Sequence, residues 1–177
     1  MKIVCIGGGP GGLYFAISMK LRNPAYEITV VEQNKPHDTF GWGIVFSDQT
    51  LENLQLNDPE SAETIRKSFA YWDDIDVHIH GKVIRSGGHG FIGIGRLRLI
   101  TILQERAAEL GIKQVFETQV ENSDNYENYD LVVASDGINS KIRTQHAAHF
   151  QPDIDLRRNK FIWLGTHKLF EAFTFIF

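Results

Sequence analysis

The sequence predicts an α/β fold built around a mainly parallel sheet, and three observations carry that prediction. An apolar run, Ile3, Val4, Cys5 and Ile6, stops at a glycine-rich turn; apolar residues at helical spacing follow; a second apolar run, Ile28 to Val31, closes the pattern. Strand, turn, helix and strand in a span of about thirty residues make a βαβ unit, whose two strands are parallel because the helix carries the chain back to its starting edge.

Residues 2–6 read as a buried strand, since a run that is apolar on both faces suits a sheet covered on both sides. The segment Gly7-Gly8-Gly9-Pro10-Gly11-Gly12 is the turn. Leu13, Ala16, Ile17 and Leu21 then recur at helical spacing, and the helix is expected to end near Asn23, because Pro24 disfavours helical geometry at the residue before it. Residues 28–32 form the second strand. Between Asn34 and Asp48 no period is visible, so Phe40-Gly41-Trp42-Gly43 reads as loop. Asp58-Pro59-Glu60 has the order of N-cap, first-turn proline and acidic first turn, and predicts a helix to about Ala70. Val77, Ile79, Val83 and Ile84 suggest two strands joined around Gly81. Arg96 to Leu110 is a clear helix, with Leu99, Leu103, Ala107 and Leu110 on one face and Gly111 as its stop. Val115-Phe116 and residues 130–134 are strands, the second running into Ser135-Asp136-Gly137.

Composition narrows the function class. The 177 residues are 42% hydrophobic and 23% charged, as in a globular protein, and 18 Lys plus Arg against 22 Asp plus Glu leave no broad basic footprint for nucleic acid. No stretch approaches the roughly 18 uninterrupted apolar residues of a membrane span, and the glycine cluster cuts short any signal-peptide h-region, so no membrane partner is expected. The single cysteine, Cys5, excludes an intramolecular disulfide and suits a reducing compartment, which makes the expected location cytoplasmic. Among the histidines, His78 and His80 share a strand face and His146 and His149 could share a helical one, but no third ligand is evident and no metal is expected. His89, between Gly88 and Gly90, reads as a turn residue.

The chemistry is carried by Gly7-x-Gly9-x-x-Gly12, which follows a strand, opens a helix and has Glu32 at the end of the next strand, twenty positions beyond Gly12. That is the Rossmann-like dinucleotide-binding pattern. Gly7 permits the tight turn, Gly9 lets backbone approach a pyrophosphate, Gly12 allows close packing of helix on strand, and the helix N-terminus offers unpaired N–H groups to phosphate. A carboxylate at Glu32 can accept hydrogen bonds from both ribose hydroxyls and repels a 2′-phosphate. The motif alone does not choose between FAD and NAD.

Two further stretches make that choice by resemblance. Arg96-x-x-Leu99-x-x-x-Leu103 and the run from Asp130 through Asp136-Gly137-Ile138-Asn139-Ser140 to Arg143 resemble elements of the single-component FAD-dependent aromatic hydroxylases. Residues 40–48 and 158–166 narrow the resemblance to the members acting on aryl-CoA thioesters and to the violacein-pathway hydroxylases. The resemblance implies FAD as cofactor, NADH or NADPH as reductant, and hydroxylation of an aromatic substrate, an aryl-CoA thioester among them. It implies cofactor-binding roles for Gly7, Gly9, Gly11, Gly12 and Glu32 at the adenosine diphosphate end, for Arg96 as an anchor, and for Asp136 and Gly137 near pyrophosphate and ribose; no side chain is named as catalytic, because the flavin carries the chemistry.

Such enzymes are at least about twice as long, as expected of two-domain flavoproteins, so the chain looks like an N-terminal piece: an incomplete FAD-binding domain over residues 1–154 and the beginning of a substrate domain, a second β layer, over 155–177. The family's later Gly-Asp motif has no counterpart, Gly11 stands where Ala is usual and Gln33 where Arg is frequent. On this reading the 177 residues alone do not hydroxylate, and the aromatic strand at 172–177, left as an edge, is expected to self-associate. The alternative readings are an FAD- or NAD-binding reductase and a nucleotide-binding module without catalysis.

Overall fold

The computed structural model describes residues 1–162 and 164–177; Trp163, within the second of the two stretches that narrow the resemblance, lies outside the described residues. The chain divides into two compact units, Met1–Asp38 with Ile100–Phe161, and Thr39–Leu99 with Ile162–Phe177.

The first unit is the doubly wound one. Strand β1 (Lys2–Ile6) lies between β2 (Glu27–Val31) and β9 (Leu131–Ala134), and β8 (Lys113–Val115) pairs with β2, giving the order β8-β2-β1-β9 with every pair parallel. Ile3, Val4, Cys5 and Ile6 are all at most 2% exposed, which is why this strand is apolar at consecutive positions rather than alternate ones. Helix α1 (Pro10–Arg22) buries Leu13, Ala16 and Ile17 at the expected spacing and ends on Asn23, whose N–H donates to the Met19 carbonyl. Lys20 Nζ donates to the carbonyls of Pro24 and Tyr26 and so sets a cation against the helix C-terminus. Helix α4 (Arg96–Glu109) belongs to this unit from Ile100 onward, where Ile100, Ile102, Leu103 and Ala107 are buried, and Gly111 follows it in the left-handed region at φ +74°.

The second unit is strand-rich, and here the structure corrects several expectations. Residues 40–48 are not all loop: Gly43–Phe46 is strand β3, antiparallel to β7 (Phe91–Gly95), which the sequence reading left unassigned. The predicted helix is also shorter. Asp48–Asn57 forms α2, N-capped by the Ser47 hydroxyl accepting from Thr50 N–H; α3 (Pro59–Arg66) follows it and stops before Ala70, because Ala70–Trp72 is strand β4 on the other edge of β7. The glycines that hid these strands serve the packing, since a Cβ on Gly93 would lie 2.7 Å from the Trp72 ring. The remaining sheet is β10-β5-β6. Strands β5 (Ile75–Ile79) and β6 (Lys82–Ser86) form the predicted antiparallel hairpin, and β10 (Phe173–Ile176) adds to β5 in parallel register. Its anchor is aromatic: the rings of Phe91 and Phe173 stack at 5.0 Å, and Trp72 Nε1 donates to the Phe170 carbonyl at 2.8 Å. Among the described residues no helix is long and apolar enough to cross a membrane.

Candidate dinucleotide-binding site

The glycines of the turn after β1 fall into two physical classes. Gly7 has φ +105°, and a Cβ there would lie 2.2 Å from the Ser135 carbonyl oxygen; a Cβ on Gly12 would lie 2.1 Å from the Gly7 carbonyl oxygen. These two are glycine because protein fills the space, which lets α1 start tight against β1 and β9. Gly9 and Gly11 are the opposite case. A Cβ at either meets no heavy atom within 4 Å, and Gly9 has an unstrained φ of −70°. Among the described residues no contact requires glycine at these positions, and the space over them is open.

The start of α1 adjoins that open space. Pro10 occupies its first turn, no side chain caps it, and no acidic residue lies in the first turn. Among the described residues no side chain caps the N–H groups that have no intrahelical partner, and such groups with the positive end of a helix dipole attract phosphate oxygens.

Glu32 stands just beyond the end of β2, half-buried, with its backbone fixed on both sides: Glu32 N–H donates to the Val115 carbonyl at 2.8 Å, and Thr118 N–H donates to the Glu32 carbonyl at 2.9 Å. Its carboxylate reaches the glycine turn directly. Gly8 N–H donates to Oε2 at 2.7 Å, while the N–H and Nδ2 of Asn34 donate to Oε1 at 2.9 and 2.6 Å. Asn34 was not singled out from the sequence, and no spacing rule points to it.

Across β1, the end of β9 supplies the other wall. The Ser135 hydroxyl donates to the carbonyls of Ile6 and Gly7, both at 2.9 Å, and so locks the turn to β9. Sequence reasoning quoted Ser135 without a role. A Cβ on Gly7 would lie 2.9 Å from the Asp136 N, so the two motifs meet as neighbours. Asp136 Oδ2 accepts from Lys141 N–H at 2.8 Å and Ile142 N–H at 3.3 Å, at the start of helix α5 (Lys141–Gln145), whereas Oδ1 is buried and has no partner among the described residues. A buried carboxylate oxygen without a donor is costly, and a hydroxyl of a bound ligand is the kind of group that satisfies it. Gly137 follows at φ +85°, a left-handed position that favours glycine.

The structure thus brings Gly7, Gly12, Asp136 and Gly137 together, with Gly9 and Gly11 on the open side of the turn and Glu32 tied to Gly8. Arg96 belongs by sequence to the second unit, where its Nε donates to Thr39 Oγ1 at 2.9 Å and its N–H to the Trp42 carbonyl at 3.1 Å. Other candidates have local roles. The His89 ring pairs with the Ser86 hydroxyl at 2.7 Å, and among the described residues no group of three or more His, Cys, Asp or Glu is placed to hold a metal. Burial pushes the Cys5 thiol up to about 12, so it stays protonated and is not a nucleophile. Chemically the site can bind an adenosine diphosphate moiety, and it contains no acid–base pair aimed at a common point.

No protein-family model matches the chain. Curated relatives do: it is 44% identical over 176 residues to the salicyloyl-CoA 5-hydroxylase of a Streptomyces species, covering 99% of this chain and 34% of that protein. It is 32% identical over 186 aligned positions to the protodeoxyviolaceinate monooxygenase of Chromobacterium violaceum, covering 100% of this chain and 48% of that one. Among solved structures, 2-methyl-3-hydroxypyridine-5-carboxylic acid oxygenase superposes with a TM-score of 0.70 at 22% identity over 81% of this chain and 41% of that one. CtdE, solved in complex with FAD, superposes with a TM-score of 0.64 at 21% identity, over 82% of this chain and 40% of that one. The chain therefore spans a third to a half of the length of these two relatives, which it resembles in sequence, and it shares its fold with the two solved structures.

Proposed function

We propose that the chain binds FAD by its adenosine diphosphate end and serves the hydroxylation of an aromatic substrate, an aryl-CoA thioester, with NADH or NADPH as reductant. The observation that carries this reading is the pair of glycines, Gly9 and Gly11, whose missing side chains leave space that no protein atom uses, beside a helix N-terminus without a cap. A bound FAD would supply the redox chemistry, in which two electrons from NADH or NADPH reduce O₂ so that one oxygen atom enters the ring and the other leaves as water. The residues of the chain do the holding. The N–H groups at the start of α1 face the pyrophosphate, Glu32 accepts from the adenosine ribose, and Asp136 and Gly137 contribute on the side of β9, where Asp136 Oδ2 already holds the start of α5. For Arg96 the resemblance alone carries the proposed anchoring role; its Nε bond to Thr39 lies within the second unit.

We read residues 1–154 as the FAD-binding domain and residues 155–177 as the start of a substrate-covering layer. The outer edge of β10 is the proposed site of self-association, because Phe175, Ile176 and Phe177 are 41%, 76% and 79% exposed on an edge strand. Light scattering reads that property directly. The thioester class is supported by the 44% identity to a protein named for a salicyloyl-CoA substrate. A chimera tests it: this chain grafted in place of the matched residues of the Streptomyces relative should retain yellow FAD and convert salicyloyl-CoA to an oxygenated product by mass spectrometry. A folded chimera that retains FAD and oxidises the nicotinamide without forming product would contradict the oxygenase reading and favour a reductase.

A further inference from the structure

We propose that Asn34 is a positioning residue that restricts Glu32 to a single adenosine ribose hydroxyl. The inference rests on the reading of this site as the FAD adenosine site.

An ionised carboxylate has about four lone-pair positions, two on each oxygen. At Glu32 three are in use. Oε1 takes both Asn34 donors, the main-chain N–H at 2.9 Å and the side-chain Nδ2 at 2.6 Å, and Oε2 takes Gly8 N–H at 2.7 Å. Oε1 is saturated, and Oε2 has one position left. The carboxylate is also not free to turn, because Gly8 holds one oxygen and Asn34 the other.

Asn34 itself is held. Its carbonyl accepts from Glu117 N–H at 3.1 Å, one residue before the Thr118 N–H that donates to the Glu32 carbonyl. Glu117 sits in the left-handed region at φ +53°, which a non-glycine residue adopts only where its surroundings impose it. The segment after β8 thus fixes Glu32 and Asn34 as one rigid unit. A Glu32 without the Asn34 side chain would keep one acceptor position free on each oxygen and could serve two vicinal hydroxyls. With it, the site reads one hydroxyl through Oε2.

The test uses the intact chain with three probes, ADP, 2′-deoxy-ADP and 3′-deoxy-ADP, measured by calorimetry. The wild-type chain is expected to lose about tenfold in affinity on removal of one ribose hydroxyl and less than about twofold on removal of the other, the larger change matching the loss of one hydrogen bond to a charged group. Asn34→Leu keeps the branched shape and removes the side-chain donor; Asn34→Ala removes the donor with the rest of the side chain beyond Cβ. In both, the contrast between the two deoxy probes should shrink to within about twofold, a change that a general loosening of the loop does not produce. Thermal melting without ligand shows that the variants are folded. Equal loss for all three probes in both variants, with the wild-type contrast preserved, would overturn the positioning role, as would a wild-type chain equally sensitive to both deletions. Wild type that binds neither ADP nor FAD defeats the site reading itself, which is a different result from either of these.

Discussion

The two units of this chain are built by different rules. In the first, consecutive apolar residues make parallel strands, and glycines occur where backbone meets backbone, as at Gly7 and Gly12, or where nothing meets it, as at Gly9 and Gly11. In the second, strands are held by aromatic contacts and a cross-strand ion pair, with Arg85 gripping the Asp76 carboxylate through Nε and Nη2 at 2.6 and 2.7 Å. The first unit carries the proposed ligand cradle, and the second fixes an exposed set of strands. Gly7 and Gly12 in the first are covered by backbone, whereas Gly93 in the second is covered by the Trp72 ring.

The largest expected effect sharpens that contrast within the first unit. Gly7→Val places a branched side chain against the Ser135 carbonyl at a left-handed φ, and it should destabilise the chain by about 3 kcal/mol or more, read by urea unfolding. Destabilisation below about 1 kcal/mol would show that the β1–β9 contact yields, against the tight packing argued here.

A smaller effect is expected at Glu32. Glu32→Ala should weaken FAD binding by about 1–3 kcal/mol, the scale of lost hydrogen bonds to a charged group, with unfolding affected less because Gly8 N–H lies at the edge of the ligand cradle. Unchanged affinity in a fluorescence titration removes Glu32 from the site.

In the second unit the test is pH. The hydrogen bond from Arg85 holds the Asp76 carboxyl below the usual carboxylate range, so the folded state favours its ionised form more than the unfolded state does. The stabilisation is therefore present above the unfolded value of about 4 and is lost as pH falls through the lowered folded value. Asp76→Asn should flatten the acid dependence of stability below about pH 4, and an unchanged profile would assign that dependence to other groups.

The contrast also explains what the sequence disclosed. The βαβ unit was legible because burial on both faces leaves an unbroken apolar run, and because Asn23 before Pro24 and Gly111 after α4 are local stops that tertiary structure had no reason to override. Strands β3, β4 and β7 escaped for different reasons: Gly43 read as loop, Ala70 as the end of a helix, and residues 91–95 drew no assignment, although Trp72 lies over Gly93. Helix α2 escaped for want of a strong apolar face: Leu51 is its one buried residue. At the site, the glycines and Glu32 follow a spacing rule, whereas Ser135 acts through hydrogen bonds to residues that only the fold brings near, and Asn34 acts on Glu32 two residues away through a local bond that no spacing rule marks.

The central claim is that the space over Gly9 belongs to a ligand. It is tested most directly by titrating FAD into the chain and into Gly9→Val, with far-UV circular dichroism recorded on both. The account predicts saturable binding by the wild-type chain, loss of that binding in Gly9→Val, and superimposable dichroism spectra, because the added side chain meets open space in the protein and collides only with the pyrophosphate. Retained FAD binding in a folded Gly9→Val chain would contradict it.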